Sequence, residues 1–112
     1  EVKLFNYRAN RAMGTGLQFC GLIMGDHSKS GINTMFNTGT VAGVGANIFG
    51  GGFPPVHIPS FSWGGSGGFE PYRLDKFFEV ASKVYERRGM KFDRTEEEIL
   101  EAVQRLEVIY TT

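Results

Sequence analysis

The chain has 112 residues and a mass of 12.4 kDa, which suffices for one modest domain but not for a complete multi-step enzyme. Its 12 Lys and Arg residues balance its 12 Asp and Glu residues, so it lacks the basic excess that favours nucleic-acid or acidic-membrane surfaces. The single Cys20 excludes an internal disulfide framework, and two histidines cannot complete a zinc-finger spacing. With no apolar run of about 18 residues and no secretory signal pattern, we expect a cytoplasmic protein without a metal site.

The composition divides the chain into two parts. Fifteen of its 16 glycines lie between Gly14 and Gly68, whereas eighteen of the charged residues lie from Glu70 onward. This split predicts a glycine-rich β region followed by a helical region. The predicted segments are an entry segment, a repeat region, a connector and a helical region, at residues 1–16, 17–53, 54–69 and 70–112.

A six-residue period runs from Met24 to Phe53. In its five hexads the first position is apolar in four, the second is Gly or Asn in four, and the fifth is small in all five. The period is typical of a parallel β-helix whose coils have three sides, each a short strand with the first-position side chain inside. We predict that the second-position residue turns each corner in a left-handed conformation, which Gly and Asn reach at low cost. The alternative is an ordinary glycine-rich loop.

The residues after the repeat are predicted to end the coils. Pro54 and Pro55 lack N–H groups, so we do not expect a hydrogen-bonded ladder to pass them. Residues 56–69 are then an extended connector whose aromatic side chains pack on the side of the coils.

Two helices are predicted to close the chain. The first starts near Pro71 and stops at Gly89, and the second starts at Thr95, whose hydroxyl is predicted to cap the Glu98 amide. We expect this helical pair to cover the open end or the side of the coils rather than to bind a partner. The two apolar stripes are Leu74, Phe77, Phe78, Ala81, Val84 and Tyr85, and then Ile99, Ala102, Val103, Leu106 and Tyr110.

Two stretches resemble the C-terminal region of bacterial sugar nucleotidyltransferase-like proteins related to bifunctional N-acetylglucosamine-1-phosphate uridylyltransferase. They are residues 15–29 and 59–65, with Gly25-Asp26-His27 and Ser62-Trp63-Gly64-Gly65 as the narrower signals. The resemblance implies a mainly β fold, a single-stranded left-handed parallel β-helix with a C-terminal two-helix segment. It also implies a homotrimer, acetyl-CoA as cofactor, a sugar phosphate substrate and an N-terminal nucleotidyltransferase domain. Because the chain opens without Met and its repeat is short, we expect a C-terminal fragment that is inactive alone.

The resemblance also suggests site residues. Gly50 falls where the family's main chain meets coenzyme A, and Ile32 falls where the family has a serine near the acetyl group. Lys29 is placed to meet a phosphate of the cofactor or sugar. His27 is the catalytic candidate, although its fourth hexad position is expected to face solvent, and His57 is assigned no role.

Two functions remain open at this stage. The first is that of an acyltransferase-type β-helix in nucleotide-sugar synthesis for cell-envelope precursors. The second is that of a noncatalytic trimerisation or ligand-sensing scaffold for the nucleotidyltransferase domain. Ile32 in place of a serine and the absence of a motif-matched base favour the second function for this chain.

Overall fold

A computed structural model describes the backbone of residues 1–111 and the side chains of residues 1–107. The chain begins with an antiparallel hairpin of β1 (Lys3–Asn6) and β2 (Arg11–Gly14). In its turn, Asn6 Oδ1 accepts a hydrogen bond from the Ala9 N–H at 3.0 Å, and Asn10 has a φ of 53°. Asn favours both arrangements, so these two residues are the local signal for a hairpin that our sequence analysis did not identify.

Six short strands form two parallel sheets, with orders β3-β5-β7 and β4-β6-β8. The strands are β3 (Ile23–Met24), β4 (Lys29–Ser30), β5 (Val41–Ala42), β6 (Asn47–Ile48), β7 (His57–Ile58) and β8 (Ser62–Gly65). Ile23 pairs with Val41, and Lys29 pairs with Asn47. Each pair is 18 residues apart, so the chain returns to the same sheet after three of the predicted hexads.

Strands occupy two of the three sides predicted for each turn of the chain. Residues 31–40 and 49–56 contain turns and bends, and no strand is assigned to them. The observed fold is therefore a mixed arrangement of a hairpin, two parallel sheets and two helices. The prediction was a coil with a strand on each of three sides. Pro54 and Pro55 explain part of the missing third strand, because they have no N–H to donate to a third ladder.

Parallel pairing continues beyond the proline pair, so the prediction that the coils end at Phe53 is wrong. β7 pairs with β5, and β8 pairs with β6, before β8 turns back to pair with the antiparallel β9 (Gly68–Pro71). The Val41 N–H already donates to the Val56 carbonyl oxygen at 2.7 Å. The prolines lie on the side without strands, where they remove no bond from either ladder.

The left-handed corner residues lie at the fourth hexad position, not at the predicted second position. Their φ values lie between 60° and 79°, and they recur every six residues. These residues are His27, Asn33, Gly39 and Gly45. The corner therefore accepts Asn and His as well as Gly, in line with the residues that reach this conformation at modest cost.

At two of the five second hexad positions, Gly25 and Gly43, close stacking of the chain requires glycine. A Cβ on Gly25 would lie 2.7 Å from the Gly43 carbonyl oxygen, and a Cβ on Gly43 would lie 2.6 Å from the Ser60 amide nitrogen. Neither glycine has a positive φ. The main chains of successive turns thus meet at Gly25 and Gly43, where no side chain fits. At Gly31, the nearest atoms to an added Cβ are 3.7 Å away, so this glycine is not required by stacking.

The two helices are α1 (Leu74–Arg87) and α2 (Arg94–Thr111). The predicted stop at Gly89 is confirmed: its φ is 69°, and its N–H and that of Met90 donate to the last carbonyl groups of α1. The predicted cap at Thr95 is wrong, because Asp93 Oδ1 accepts the hydrogen bond from the Glu96 N–H at 3.1 Å. Asp93 is the better cap, since its charge also complements the helix dipole. No helix in the described part of the chain is long and apolar enough to cross a membrane.

The core has two clusters, one inside the parallel sheets and one beneath the helices. The first contains Ala42, Ala46, Ile48 and Ile58, and the second contains Phe61, Phe77, Ala81 and Leu100. The first cluster includes first- and fifth-position residues of the hexads, as predicted, and the stripe of α1 faces the second cluster.

The buried face of α2 differs from the predicted apolar stripe. Leu100 is buried, whereas Ile99 and Leu106 are 54% and 49% exposed. The side chain of Tyr110 lies outside the described residues.

The helices cover the corner between the two parallel sheets, not the open end. His27, Gly45 and Phe61 form this corner, and all three have a positive φ. A Cβ on Gly45 would lie 2.8 Å from carbon atoms of both the Phe61 and the Phe77 rings. Two aromatic rings therefore occupy the space that a side chain at position 45 would need, and the Phe77 ring belongs to α1.

Replacing Gly43 by Ala is expected to lower the free energy of unfolding by about 1–3 kcal/mol, because the added methyl group meets the main chain of Ser60. Gly21→Ala is the matched control, since a Cβ at Gly21 has open space around it and its φ is not positive. We expect the control to stay within about 0.5 kcal/mol of the parent chain. Urea denaturation measures both values, and equal stability of the two variants would contradict the close stacking.

Candidate functional site

The outer face of the second parallel sheet carries a row of polar and aromatic side chains. Lys29, Asn47 and Trp63 are paired in register across β4, β6 and β8. Their neighbour Ile48 is buried in the core, so the three side chains in this row point outward. One predicted site residue, Lys29, is therefore aligned with the single tryptophan of the chain.

A trough crosses the outer side of Trp63, and we call it the Trp63 trough. Its first part, about 320 Å³, lies between Phe49, Gly50 and the glycine-rich turn of the β8–β9 hairpin. Its second part, about 440 Å³, lies between Trp63, the end of β9 and α1. Trp63 and Glu70 line both parts, so the two parts adjoin at these residues.

Aromatic rings form the centre of the trough. The ring centroid of Trp63 lies 5.4 Å from that of Phe49 and 5.1 Å from that of Tyr72. Both pairs are edge-to-face, an arrangement that holds the indole in place. Trp63 remains 40% exposed, so part of the indole is open to a planar ligand.

Basic side chains line the helical end of the trough. Arg73, Lys76 and Lys83 lie there with the carboxylates of Glu70 and Glu79. Lys76 pairs with Glu79 at 3.6 Å, and both side chains are well exposed. Such an exposed pair is weak and exchanges readily for another anion. Arg73 is also paired, with Asp75 at 2.7 Å, so the charges at the helical end are close to balanced and a phosphate would replace a carboxylate beside Lys76.

The other end of the trough is lined by main chain. Gly50 has a φ of 96°, and a Cβ at this position would have open space around it. Gly64 and Gly65 in β8 lie too close to the neighbouring carbonyl groups of Gly68 and Phe49 for any side chain. Gly64 and Gly65 are therefore required by the main chain packed against them, whereas the backbone at Gly50 is open to a thin, extended ligand.

Of the predicted cofactor-binding residues, only Gly50 lines the trough. Ile32 is 96% exposed in a turn, and it is not among the lining residues. Lys29 is also outside the lining; its Nζ donates to the His27 carbonyl oxygen at 3.3 Å, and burial lowers its pKa. The trough therefore contains one of the three cofactor-binding residues that the resemblance suggests.

His27 packs against the helices, so the expectation that it faces solvent is wrong. Its ring centroid lies 5.5 Å from that of Phe77, 5.8 Å from that of Tyr85 and 6.4 Å from that of Phe92. Burial lowers the pKa of His27, and the charge of Lys29 lowers it further. The helices cover this corner, a contact that the hexad position alone does not indicate. His27 does not line the trough.

His57, to which sequence analysis assigned no role, belongs to a hydrogen-bonded group that we call the Tyr7 cluster. The Tyr7 hydroxyl donates to Glu107 Oε1 at 3.0 Å, and it lies 3.3 Å from His57 Nε2. Because the tyrosine proton is directed to Glu107, Nε2–H of neutral His57 is the donor to the Tyr7 oxygen. The Ser60 N–H also donates to Glu107 Oε1, and Phe5 stacks on the His57 ring.

Burial governs the acid–base properties of the Tyr7 cluster. It raises the pKa of Tyr7, and the charge of Glu107 raises it further. It also lowers the pKa of His57, against an opposing effect of Glu107. No sequence motif connects Tyr7, His57 and Glu107, since they come from the first hairpin, β7 and α2. Among the described residues, no group of three or more His, Cys, Asp or Glu is placed to hold a metal ion.

Both histidines are expected to titrate below the ordinary histidine pKa of 6.5, because burial disfavours their charged forms. The unfolded chain then binds protons more readily than the folded chain, so stability is fully present above pH 6.5 and falls as the pH drops below it. NMR titration of the two imidazole ring protons measures both pKa values. A histidine that titrates at or above 6.5 would contradict the burial of its ring.

Comparisons of this chain with protein-family models, with curated proteins and with solved structures found no match.

Proposed function

We propose that this chain is an acyltransferase-type left-handed β-helix segment of a sugar nucleotidyltransferase, and that the Trp63 trough binds acetyl-CoA. The register of the first turn supports the β-helix, because its paired strands are 18 residues or three hexads apart, which is the repeat that such a helix requires. The second turn, from Val41 to His57 and from Asn47 to Trp63, is two residues shorter. The left hand rests on the resemblance of residues 15–29 and 59–65 to the nucleotidyltransferase-like family.

The observation that carries the proposal is the sequence of basic, aromatic and glycine-lined surfaces along the trough. Coenzyme A has a planar adenine, a group of phosphates and a thin pantetheine arm. The exposed indole of Trp63 offers a face for the adenine, and Lys76 and Lys83 offer charge to the phosphates. The main chain at Gly50 and the glycine turn accommodates the arm. Stacking of one base on an aromatic ring contributes about 1–3 kcal/mol.

A second candidate is the noncatalytic scaffold, and the position of the histidines favours it. Acyl transfer to an acceptor needs a base near the thioester. Neither His27 nor His57 is among the residues that line the trough. Under this candidate the trough senses the cofactor without using it, and the β-helix holds three nucleotidyltransferase domains together.

Both candidates include a homotrimer, and an exposed apolar side of the chain supports it. Residues 31–40 and 49–56 carry Ile32, Met35, Phe53 and Val56 on a side without strands, and all four are exposed. Complete burial of one Ile side chain contributes about 1.5–3 kcal/mol. Association of three copies through this side would remove it from water.

Acetyl-CoA is expected to quench the fluorescence of Trp63 in a saturable titration, because adenine stacks on the only tryptophan of the chain. Replacing Lys76 and Lys83 together by Ala should weaken binding by about tenfold or more, because two charged contacts to phosphate are lost. Lys91→Ala is the control: it removes one exposed lysine that does not line the trough.

Pantetheine without the nucleotide should leave the fluorescence unchanged, since it has no ring to stack. Saturable binding supports a cofactor site, and an acetyl-CoA hydrolysis or transfer assay on the same protein then separates the two candidates. No quenching at millimolar acetyl-CoA would rule out both the enzyme and the cofactor sensor.

Static light scattering is expected to give three times the chain mass of 12.4 kDa. Ile32→Asp should shift the protein towards the monomer, because it places a charge on the apolar side at a residue that is 96% exposed and contributes little to the core. Met90→Asp, an exposed position after α1, should leave the trimer intact. A parent chain that stays monomeric at high concentration would contradict the assembly.

A further inference from the structure

The second strand of the first hairpin has a free edge. β2 pairs with β1 in a two-stranded sheet, and all four of its residues are exposed. Residue 39 covers the opposite edge of the hairpin, since a Cβ on Gly39 would lie 2.9 Å from the Lys3 carbonyl oxygen. A free strand edge of this kind can accept a further strand from another chain.

The register of the hairpin determines which main-chain groups of β2 point outward. The Thr15 N–H donates to the Val2 carbonyl oxygen at 3.0 Å, so these residues form a hydrogen-bonded pair at the end of the ladder. Hydrogen-bonded and non-hydrogen-bonded pairs alternate along an antiparallel ladder, which places Ala12 and Gly14 in non-hydrogen-bonded pairs. The N–H and C=O groups of Ala12 and Gly14 therefore point away from β1, towards the free edge.

The two ends of this edge differ in charge. Arg8 and Arg11 lie at the turn end, where both are exposed, and neither has an ion-pair partner among the described residues. At the other end a Cβ on Gly14 would lie 2.7 Å from Glu1 Oε1, so the Glu1 carboxylate is close to β2. Lys3 pairs in register with Gly14 and offsets that charge. The edge is therefore positive at the turn end and close to neutral at the other end.

We propose that the free edge of β2 binds an extended peptide segment of a partner protein, as an added antiparallel strand with acidic residues at its C-terminal end. In this direction one peptide residue can exchange two hydrogen bonds with Ala12, because the N–H and C=O groups of Ala12 point to the same side. The C-terminal end of the peptide then lies beside Arg8 and Arg11, and its N-terminal end lies beside Glu1. Carboxylates at the C-terminal end gain charge interactions that the rest of the peptide does not.

The charge of the edge favours an acidic peptide over a second copy of this chain. Two β2 strands paired antiparallel would place the arginines of each hairpin against the nearly neutral Gly14 end of the other. A basic peptide would face Arg8 and Arg11 with like charge, which is unfavourable in adjacent strands. Peptide binding at this edge does not depend on acetyl-CoA binding, because no residue of the hairpin lines the Trp63 trough.

NMR titration of the isotope-labelled full chain with the peptide acetyl-Ser-Val-Thr-Val-Thr-Val-Glu-Glu-amide tests this interaction. One comparison peptide has Lys-Lys in place of Glu-Glu, and another has Glu-Glu moved to the N-terminal end. We expect saturable binding of the first peptide, with shifts of the Ala12 and Gly14 amide signals, and affinity at least about fivefold lower for the other two.

Equal or tighter binding of either comparison peptide would overturn the proposal. So would the absence of saturable binding, or peptide-induced shifts confined to the helices. Shifts of the Ala12 and Gly14 signals that depend on protein concentration without peptide would identify a second copy as the occupant instead.

Removal of a hydrogen-bond donor from either side tests the added strand. Ala12→Pro removes an N–H that points outward, so the hairpin keeps its own ladder and peptide binding should be lost. Ala12→Val is the matched control, which keeps the N–H and should bind the acidic peptide as the parent chain does. N-methylation of the peptide valines, which lie opposite Ala12 and Gly14 when a glutamate lies opposite Arg11, should also abolish binding. This peptide keeps the test decisive if circular dichroism shows that Ala12→Pro unfolds, and retained binding of it would overturn the proposal.

Replacement of one arginine tests the contribution of charge. Arg11→Gln should weaken binding of the acidic peptide about threefold, because one cross-strand ion pair is lost. Arg88→Gln is the control: it removes an exposed arginine after α1 and should leave the affinity unchanged. Added salt should also weaken binding of the acidic peptide to the parent chain. An affinity that neither Arg11→Gln nor added salt lowers would overturn the recognition of acidic residues.

Discussion

The close contact between the main chains of successive turns is the constraint on which the rest of the structure depends. Gly25 lies against Gly43, and Gly43 lies against Ser60, at distances that exclude a Cβ. This contact holds the parallel ladders in one register, and the register places outward side chains in rows. One row ends in Trp63 and the other ends in His57. Both candidate sites therefore originate from the same backbone packing.

Docking of the helices on the corner between the sheets completes both sites. The rings of Phe61 and Phe77 fill the space that Gly45 leaves open, and this contact fixes α1 beside the second sheet. α1 thereby brings its lysines to the Trp63 trough. α2 follows α1 and brings Glu107 to Tyr7, so one aromatic contact positions residues from two helices.

The fold keeps the Trp63 trough and the Tyr7 cluster on different parallel sheets. The Trp63 trough combines a partly exposed indole, glycine main chain and basic side chains that pair with exposed carboxylates. The Tyr7 cluster joins a tyrosine, a histidine and the buried Glu107 through hydrogen bonds. Separation on two sheets keeps the charge of Glu107 away from the lysines of the trough.

The sequence by itself determined the six-residue period, the two helices and the stop at Gly89, because each depends on the conformations of residues close together in the chain. It did not place the corners or the end of the pairing, since Gly43 is required by contact with a residue of the next turn and Pro54 lies on a side without strands. The candidate sites depended on the tertiary structure still more. Tyr7 and Glu107 are 100 residues apart, and only the docking of α2 brings their side chains within hydrogen-bond distance.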